Sequence, residues 1–236
     1  MKFNLIVPIA ADKPEYNDER PYVFGFDADG MIICVKSIMG LDTSKFDAIY
    51  FTILRKHDEQ YGLREMLEFQ FKRIGLSHAK VVVLDAPTSS QPETIYRTIQ
   101  KEGVEGAIFV KDGDCYFSCE PYPQNGVAIY PLEKLPIVDP SNKSYVAVDD
   151  MYYITNIIEK RVVSHYFNAG GYCFESTSQF CNYYERLCKH GHIYLSHIIY
   201  AMLLDKHEFR PFQVKGYKDW GTEVLYKYWL NHSIHE

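Results

Sequence analysis

The chain has 236 residues, 47% hydrophobic and 15% aromatic, which is enough to bury a full core and far from the composition of disordered chains. A formal net charge of −6 without a basic run or aromatic-basic stripe argues against tracking a nucleic-acid backbone, while small anionic substrates stay open. Cys34, Cys115, Cys119, Cys173, Cys181 and Cys188 are too few for a disulfide scaffold and include no Cys-x-x-Cys pair, so they read as reduced thiols of a cytoplasmic protein.

Phe3 to Ala11 forms an apolar strand that is too short for a membrane span and runs directly into Asp12 and Lys13, so it is neither an anchor nor a signal peptide. A helix is expected near 30–40 and a strand at 47–54. The next helix, near 58–75, has Asp58 as its start signal and Gly75 as its stop. A strand at 80–85, a helix over 92–102 and a strand at 106–111 follow. This alternation is the signature of a parallel sheet with crossover helices.

From about 115 the pattern changes to short strands, including 127–130 and 145–148, punctuated by Pro121, Pro123, Pro131, Pro136 and Pro140. Helices over 176–189 and 193–205 come next, then a strand at 209–214 and a terminal helix. Thr222 is the expected N-cap of that helix, which leaves Asp219 in the preceding loop. His190, His192 and His197 gather at the junction of two helices, and Tyr183, Tyr184, Tyr194 and Tyr200 read as packing. No repeat or long linker divides the chain. The expectation is one α/β domain over 1–236, a mixed, mostly parallel central sheet flanked by helices.

Two acidic segments carry the chemistry. Asp112 and Asp114 follow the apolar run 106–110 and emerge at the carboxyl end of a strand, where open α/β sheets bind ligands. Asp219 stands in a second strand-end loop about a hundred residues later. Carboxylates from two such loops suit one hard cation, Mg²⁺ or Mn²⁺, which keeps open positions for substrate phosphates. Aspartate also caps turns on its own account, and Gly113 favours a turn here. Gln91 has an amide able to read a base edge, or it is an extended lead-in to Pro92. Lys160 is either a mobile phosphate ligand or a solvated strand-end residue.

Eight stretches resemble the sugar-phosphate nucleotidyltransferase superfamily, in particular its bacterial surface-polysaccharide members, and the resemblance spans nearly the whole chain. Leu5-Ile6-Val7-Pro8-Ile9-Ala10-Ala11 is similar to the opening strand, and Arg20-Pro21-Tyr22-Val23 to the Lys-Pro-Leu-Ile segment beyond it. Gly30-Met31-Ile32 resembles the start of the following helix, and Thr88-Ser89-Ser90-Gln91-Pro92-Glu93-Thr94-Ile95 the stretch beside the base. Gly113-Asp114-Cys115-Tyr116-Phe117 and Asp219-Trp220-Gly221-Thr222 resemble the two metal loops. Glu159-Lys160 and Asn168-Ala169-Gly170-Gly171-Tyr172-Cys173-Phe174 resemble the segments facing the sugar phosphate.

The resemblance implies a type-A glycosyltransferase-like fold and a transferase joining a nucleoside triphosphate to a small phosphorylated acceptor, with no nucleic acid partner and a homo-oligomer left open. It makes Asp114 and Asp219 the metal ligands, with Asp112 a third candidate from the Asp-x-Asp pattern, and leaves Lys13 and Arg20 as the candidate catalytic cations. Ala10, Ala11, Gln91, Glu159, Lys160 and Gly171 become substrate contacts.

The chain departs from the pattern in the first loop. A phosphate cradle uses glycines for close backbone approach, yet Ala11 and Lys13 stand in their place and Glu15 stands near the usual arginine. Loss of a cationic clamp costs on the order of 10³-fold in phosphoryl transfer. Either Lys13 and Arg20 replace the charge, or the chain is a glycosyltransferase using a nucleotide sugar, or it binds nucleotide without turnover.

Overall fold

A computed structural model describes residues 2–11, 20–137 and 139–232. The elements in order are β1 (Phe3–Ile9), α1 (Ile33–Lys36), β2 (Ala48–Leu54), α2 (Arg55–Tyr61), α3 (Leu63–Arg73), β3 (Ala79–Leu84), α4 (Gln91–Glu102), β4 (Ala107–Lys111) and β5 (Cys115–Ser118). Then come β6 (Gly126–Pro131), β7 (Ser144–Val148), β8 (Ile154–Glu159), β9 (Tyr166–Phe174), α5 (Thr177–Leu187), α6 (Leu195–Leu204), β10 (Arg210–Gln213), β11 (Lys215–Asp219) and α7 (Glu223–His232).

The main sheet runs β10-β6-β9-β4-β1-β2-β3, and a β7-β8 hairpin joins β9 through Tyr145 and Phe167. Strands β3, β2, β1 and β4 are mutually parallel, whereas β9 is antiparallel to β4 and to β6. The class is the expected one, mixed and mostly parallel with helices on both faces. Strand periodicity explains the two cores: Leu5 and Val7 of β1 pack with Leu63, Leu67 and Phe71 of α3 on one face. Ile6 turns the other way, into Ile95 and Ile99 of α4, Phe180 of α5 and Ile198 of α6.

Two helices differ from expectation. The segment near 30–40 holds a single helical turn, Ile33–Lys36, before the chain bends away. The 58–75 helix is two helices, because Gly62 adopts φ 63° and ends α2, its N–H donating to the Asp58 carbonyl. The Asp58 carboxylate accepts from Arg64 N–H at 2.8 Å, so the start signal serves α3 from the turn before it. Asp58→Ala therefore costs about 1 kcal/mol of stability by chemical denaturation; an unchanged denaturation midpoint would show that the cap is dispensable.

Further along, boundaries fall within a few residues of expectation. Thr222 Oγ1 accepts from Leu225 N–H at 3.3 Å and caps α7. That helix packs back on the start of the chain: Tyr226 Oη donates to the Phe26 carbonyl at 2.8 Å, and its ring lies 5.3 Å from that of Tyr22. At the helix junction His197 accepts from Tyr194 N–H and completes a cap of α6, a structural task. Tyr183 and Tyr184 are buried, while Tyr200 is exposed. No described helix is long and apolar enough to cross a membrane.

Candidate functional site

The site lies where β1 and β4 end. Beyond Lys111 the chain turns through Asp112-Gly113-Asp114 into β5, and β5 pairs antiparallel with β11, setting Cys115 opposite Asp219. Trp220 N–H donates to the Asp114 carbonyl at 2.7 Å and pins the two acidic loops together. A Cβ on Gly221 would stand 3.1 Å from Asp219 Oδ1 and 3.2 Å from Asp114 Oδ2, so both carboxylates border one small space. Asp219 Oδ1 also accepts from Gly221 N–H at 2.8 Å, so it caps its own turn as well.

Asp112 faces elsewhere. Its Oδ1 accepts from Gln91 Nε2 at 2.5 Å, and its Oδ2 lies 2.6 Å from where a Gly170 Cβ would be. Gly170, at φ +82°, is the residue that makes room for this carboxylate. Burial, followed by the charge of Asp114, pushes the Asp112 carboxyl up to about 6, against the pull of Lys111 and Gln91. Gln91 itself is the first residue of α4, behind the N-cap Ser90, and its amide is engaged with Asp112.

Under the loop sits a lysine with no exposed surface. Lys111 Nζ donates to the carbonyls of Asp112 at 2.9 Å and Cys115 at 2.7 Å, lies 3.0 Å from Cys115 Sγ, and stands 4.3 Å over the Phe117 ring. It bridges the two ends of the acidic turn and supplies the nearest buried positive charge. Burial pushes the Cys115 thiol up to about 12, so it stays neutral beside this ammonium.

A second lysine reaches the site from the hairpin. Lys143, just before β7, pairs with Asp219 Oδ2, donates to Tyr217 Oη at 3.0 Å, and lies 5.3 Å from the rings of Phe167 and Tyr217. Burial is the largest single effect and opposes its charge, but Asp219, with Cys115 and Asp114 behind it, raises its pKa above the ordinary value. Nothing in Asp139-Pro140-Ser141-Asn142-Lys143 marks it as a site residue, because its approach depends on the pairing of β7 with β8 and β9.

Glu159, the last residue of β8, is held by Ser144 Oγ at 2.5 Å and Ser196 Oγ at 2.8 Å. Lys160 has φ 57°, donates its N–H to the Lys143 carbonyl, and points its ammonium at Tyr194, 3.3 Å from the hydroxyl. Gly171 presents its missing Cβ to Ala128, Phe117 and Phe109, so its side faces the core.

Ala10 is buried with Leu54 and Leu84 across the carboxyl ends of β1, β2 and β3, and Ala11 is half-buried beside it. Lys13 and Glu15 lie outside the described residues. The Arg20 guanidinium rests against Phe26 and Tyr61, with Nη2 3.7 Å from Met66 Sδ, and its Nε has no partner among the described residues. Burial lowers its pKa.

No family model and no curated protein matches the sequence. Solved structures do match the coordinates. A nucleoside-diphosphate-sugar pyrophosphorylase from Vibrio cholerae superposes with a TM-score of 0.78 at 15% identity, covering 96% of this chain and 99% of that one. An inositol-1-phosphate CTP transferase from T. maritima gives 0.74 at 15% identity over 100% and 97%. A UTP-bound UGPase from Acinetobacter baumannii gives 0.69 at 15% identity over 99% and 93%. The chain shares the fold of these structures. Ala10 and Ala11 follow β1, and Asp112 and Asp114 follow its parallel neighbour β4, at the strand ends where open α/β sheets bind ligands; Gln91 joins them through its bond to Asp112.

Proposed function

We propose that the protein is a divalent-metal-dependent nucleotidyltransferase, in which a phosphate oxygen of a sugar phosphate or similar small acceptor attacks the α-phosphate of a nucleoside triphosphate and pyrophosphate leaves. The observation that carries this is the pairing of β5 with β11, which aims Asp114 and Asp219 at one space beside Gly221.

The donor set fits a hard cation: two carboxylates with oxygen atoms only, carrying more negative charge than Lys143 offsets. No group of three or more His, Cys, Asp or Glu side chains placed to hold a metal occurs among the described residues. Asp114 and Asp219 would hold Mg²⁺ or Mn²⁺ as a two-carboxylate site, with the remaining positions left to water and substrate phosphates. Such an ion offsets charge on the reacting phosphates.

The protein's own residues position the reactants. Lys111 fixes the acidic turn from below, and Gln91 holds the Asp112 side chain. Glu159, clamped by two serines, is ready to accept hydrogen bonds from an acceptor, with Lys160 next to it for the acceptor phosphate. Catalysis is then positioning and charge neutralisation.

Thermal stabilisation by each nucleoside triphosphate and by nucleotide sugars, with and without Mg²⁺, tests this. A ligand at about 100 times its dissociation constant adds roughly 2.7 kcal/mol. A Mg²⁺-dependent shift with one triphosphate is expected and names the base. A response confined to nucleotide sugars would turn the assignment to a glycosyltransferase. Binding without pyrophosphate release would make the chain a nucleotide-binding protein without turnover.

A further inference from the structure

Among the described residues, the Lys143–Asp219 contact brings a cation directly onto the acidic pair. Both side chains are only 15% exposed. Tyr217 Oη touches both partners, 3.0 Å from the ammonium and 3.2 Å from Asp219 Oδ2, and the rings of Phe167 and Tyr217 flank the ammonium. The backbone at Lys143 is fixed, because its carbonyl accepts from Lys160 N–H at 2.8 Å. Its four-carbon stem is the flexible part, so the charge moves while its anchor stays.

A lone carboxylate pair in this setting repels itself and attracts any cation nearby. Lys143 bonds to one oxygen of Asp219, and Gly221 N–H bonds to the other. A metal entering beside Asp114 thus meets an Asp219 with each oxygen already engaged in one hydrogen bond and with the Lys143 charge against it.

Resting on the metal-dependent reading above, we propose that Lys143 is a tethered cation that a divalent metal displaces from Asp219. The ion pair is the metal-free resting arrangement of the site, and it lowers the affinity for free metal. The displaced ammonium stays within a side chain's length of the site, next to Glu159 and Lys160, where it adds a positive charge for a phosphate-bearing ligand. Metal therefore enters most readily together with such a ligand, which offsets the charge brought into the site.

Mn²⁺ titrations without any phosphate, followed by calorimetry, test the displacement on the wild-type protein and on Lys143→Met, Lys143→Gln and Lys143→Arg. Removing the competing charge is expected to tighten Mn²⁺ binding about tenfold in Lys143→Met and Lys143→Gln, while Lys143→Arg stays as weak as wild type. Thermal unfolding identifies a variant that fails to fold, and the glutamine variant, which keeps a polar head, then carries the reading. Mn²⁺ binding by the wild type with equal or weaker binding in both neutral variants overturns the displacement while leaving the metal site intact. No Mn²⁺ binding by the wild type or by any variant overturns both the displacement and the metal-dependent reading.

Discussion

Asp114→Asn is expected to lower pyrophosphate release on the order of 10³-fold or more while the metal-free protein becomes more stable, not less. The two effects have separate origins. The backbone carbonyl that accepts from Trp220 is unchanged by the substitution, so the β5–β11 junction survives. What is lost is one of the two carboxylates bordering the space beside Gly221, and an amide oxygen is a weak replacement for a hard cation.

Stability should rise because the Asp114 charge is, after burial, the main cause of the raised pKa of Asp112. Removing it lets Asp112 ionise at a lower cost. Pyrophosphate release measured with the triphosphate that stabilises the protein, beside urea unfolding at pH 8, checks both halves. Full activity would remove the metal premise. Lost activity with lost stability would make Asp114 a structural residue.

The second large effect is at Lys111. Lys111→Met keeps the length of the side chain but leaves two buried carbonyls without their donor and the acidic turn without its buried cation, a loss of about 3 kcal/mol. The loss should depend on pH. The folded-state pKa of Asp112 is raised, so its contribution to stability is fully present below the unfolded carboxyl value and is lost as pH rises through about 6. Lys111 opposes that rise, so without it the folded pKa goes higher still and the deficit of the variant grows between pH 5 and pH 8. Urea unfolding at the two pH values measures it. An equal deficit at both would assign Lys111 to hydrogen bonding alone, and a deficit under about 1 kcal/mol would remove its claim to hold the turn.

Much of this architecture is written locally. The alternation that sends Leu5 and Val7 to one core and Ile6 to the other is visible in β1, as is the apolar run that ends at Asp112. Both acidic loops could be read because Asp-Gly and Gly-Thr turn chemistry is local. Their meeting was not derivable from spacing, since it depends on two short strands, β5 and β11, finding each other across about a hundred residues.

Lys111 and Lys143 were invisible for the same reason. A lysine at a strand end reads as solvated until the chain folds over it, and a lysine after Asp-Pro-Ser-Asn reads as part of a turn. Gly170 and Gly171 are alike in sequence, and only the folded chain separates them, by the left-handed φ of Gly170 and its approach to Asp112. The break at Gly62 was also hidden, because a single glycine in a helical pattern is often tolerated and here it takes the left-handed conformation.

The C-terminal helix contributes no buried residue of its own, although Tyr226 reaches across to Phe26 and Tyr22. An element with no buried residue is expected to open at a small fraction of the free energy that unfolds the sheet. Its first residue, Glu223, follows Gly221 and Thr222 directly, so an opening of this helix is expected to reach the turn after Asp219 and to free the Phe26 carbonyl from Tyr226. Hydrogen exchange is therefore expected to be slowest at Lys111 in the sheet and faster in α7, just downstream of Asp219.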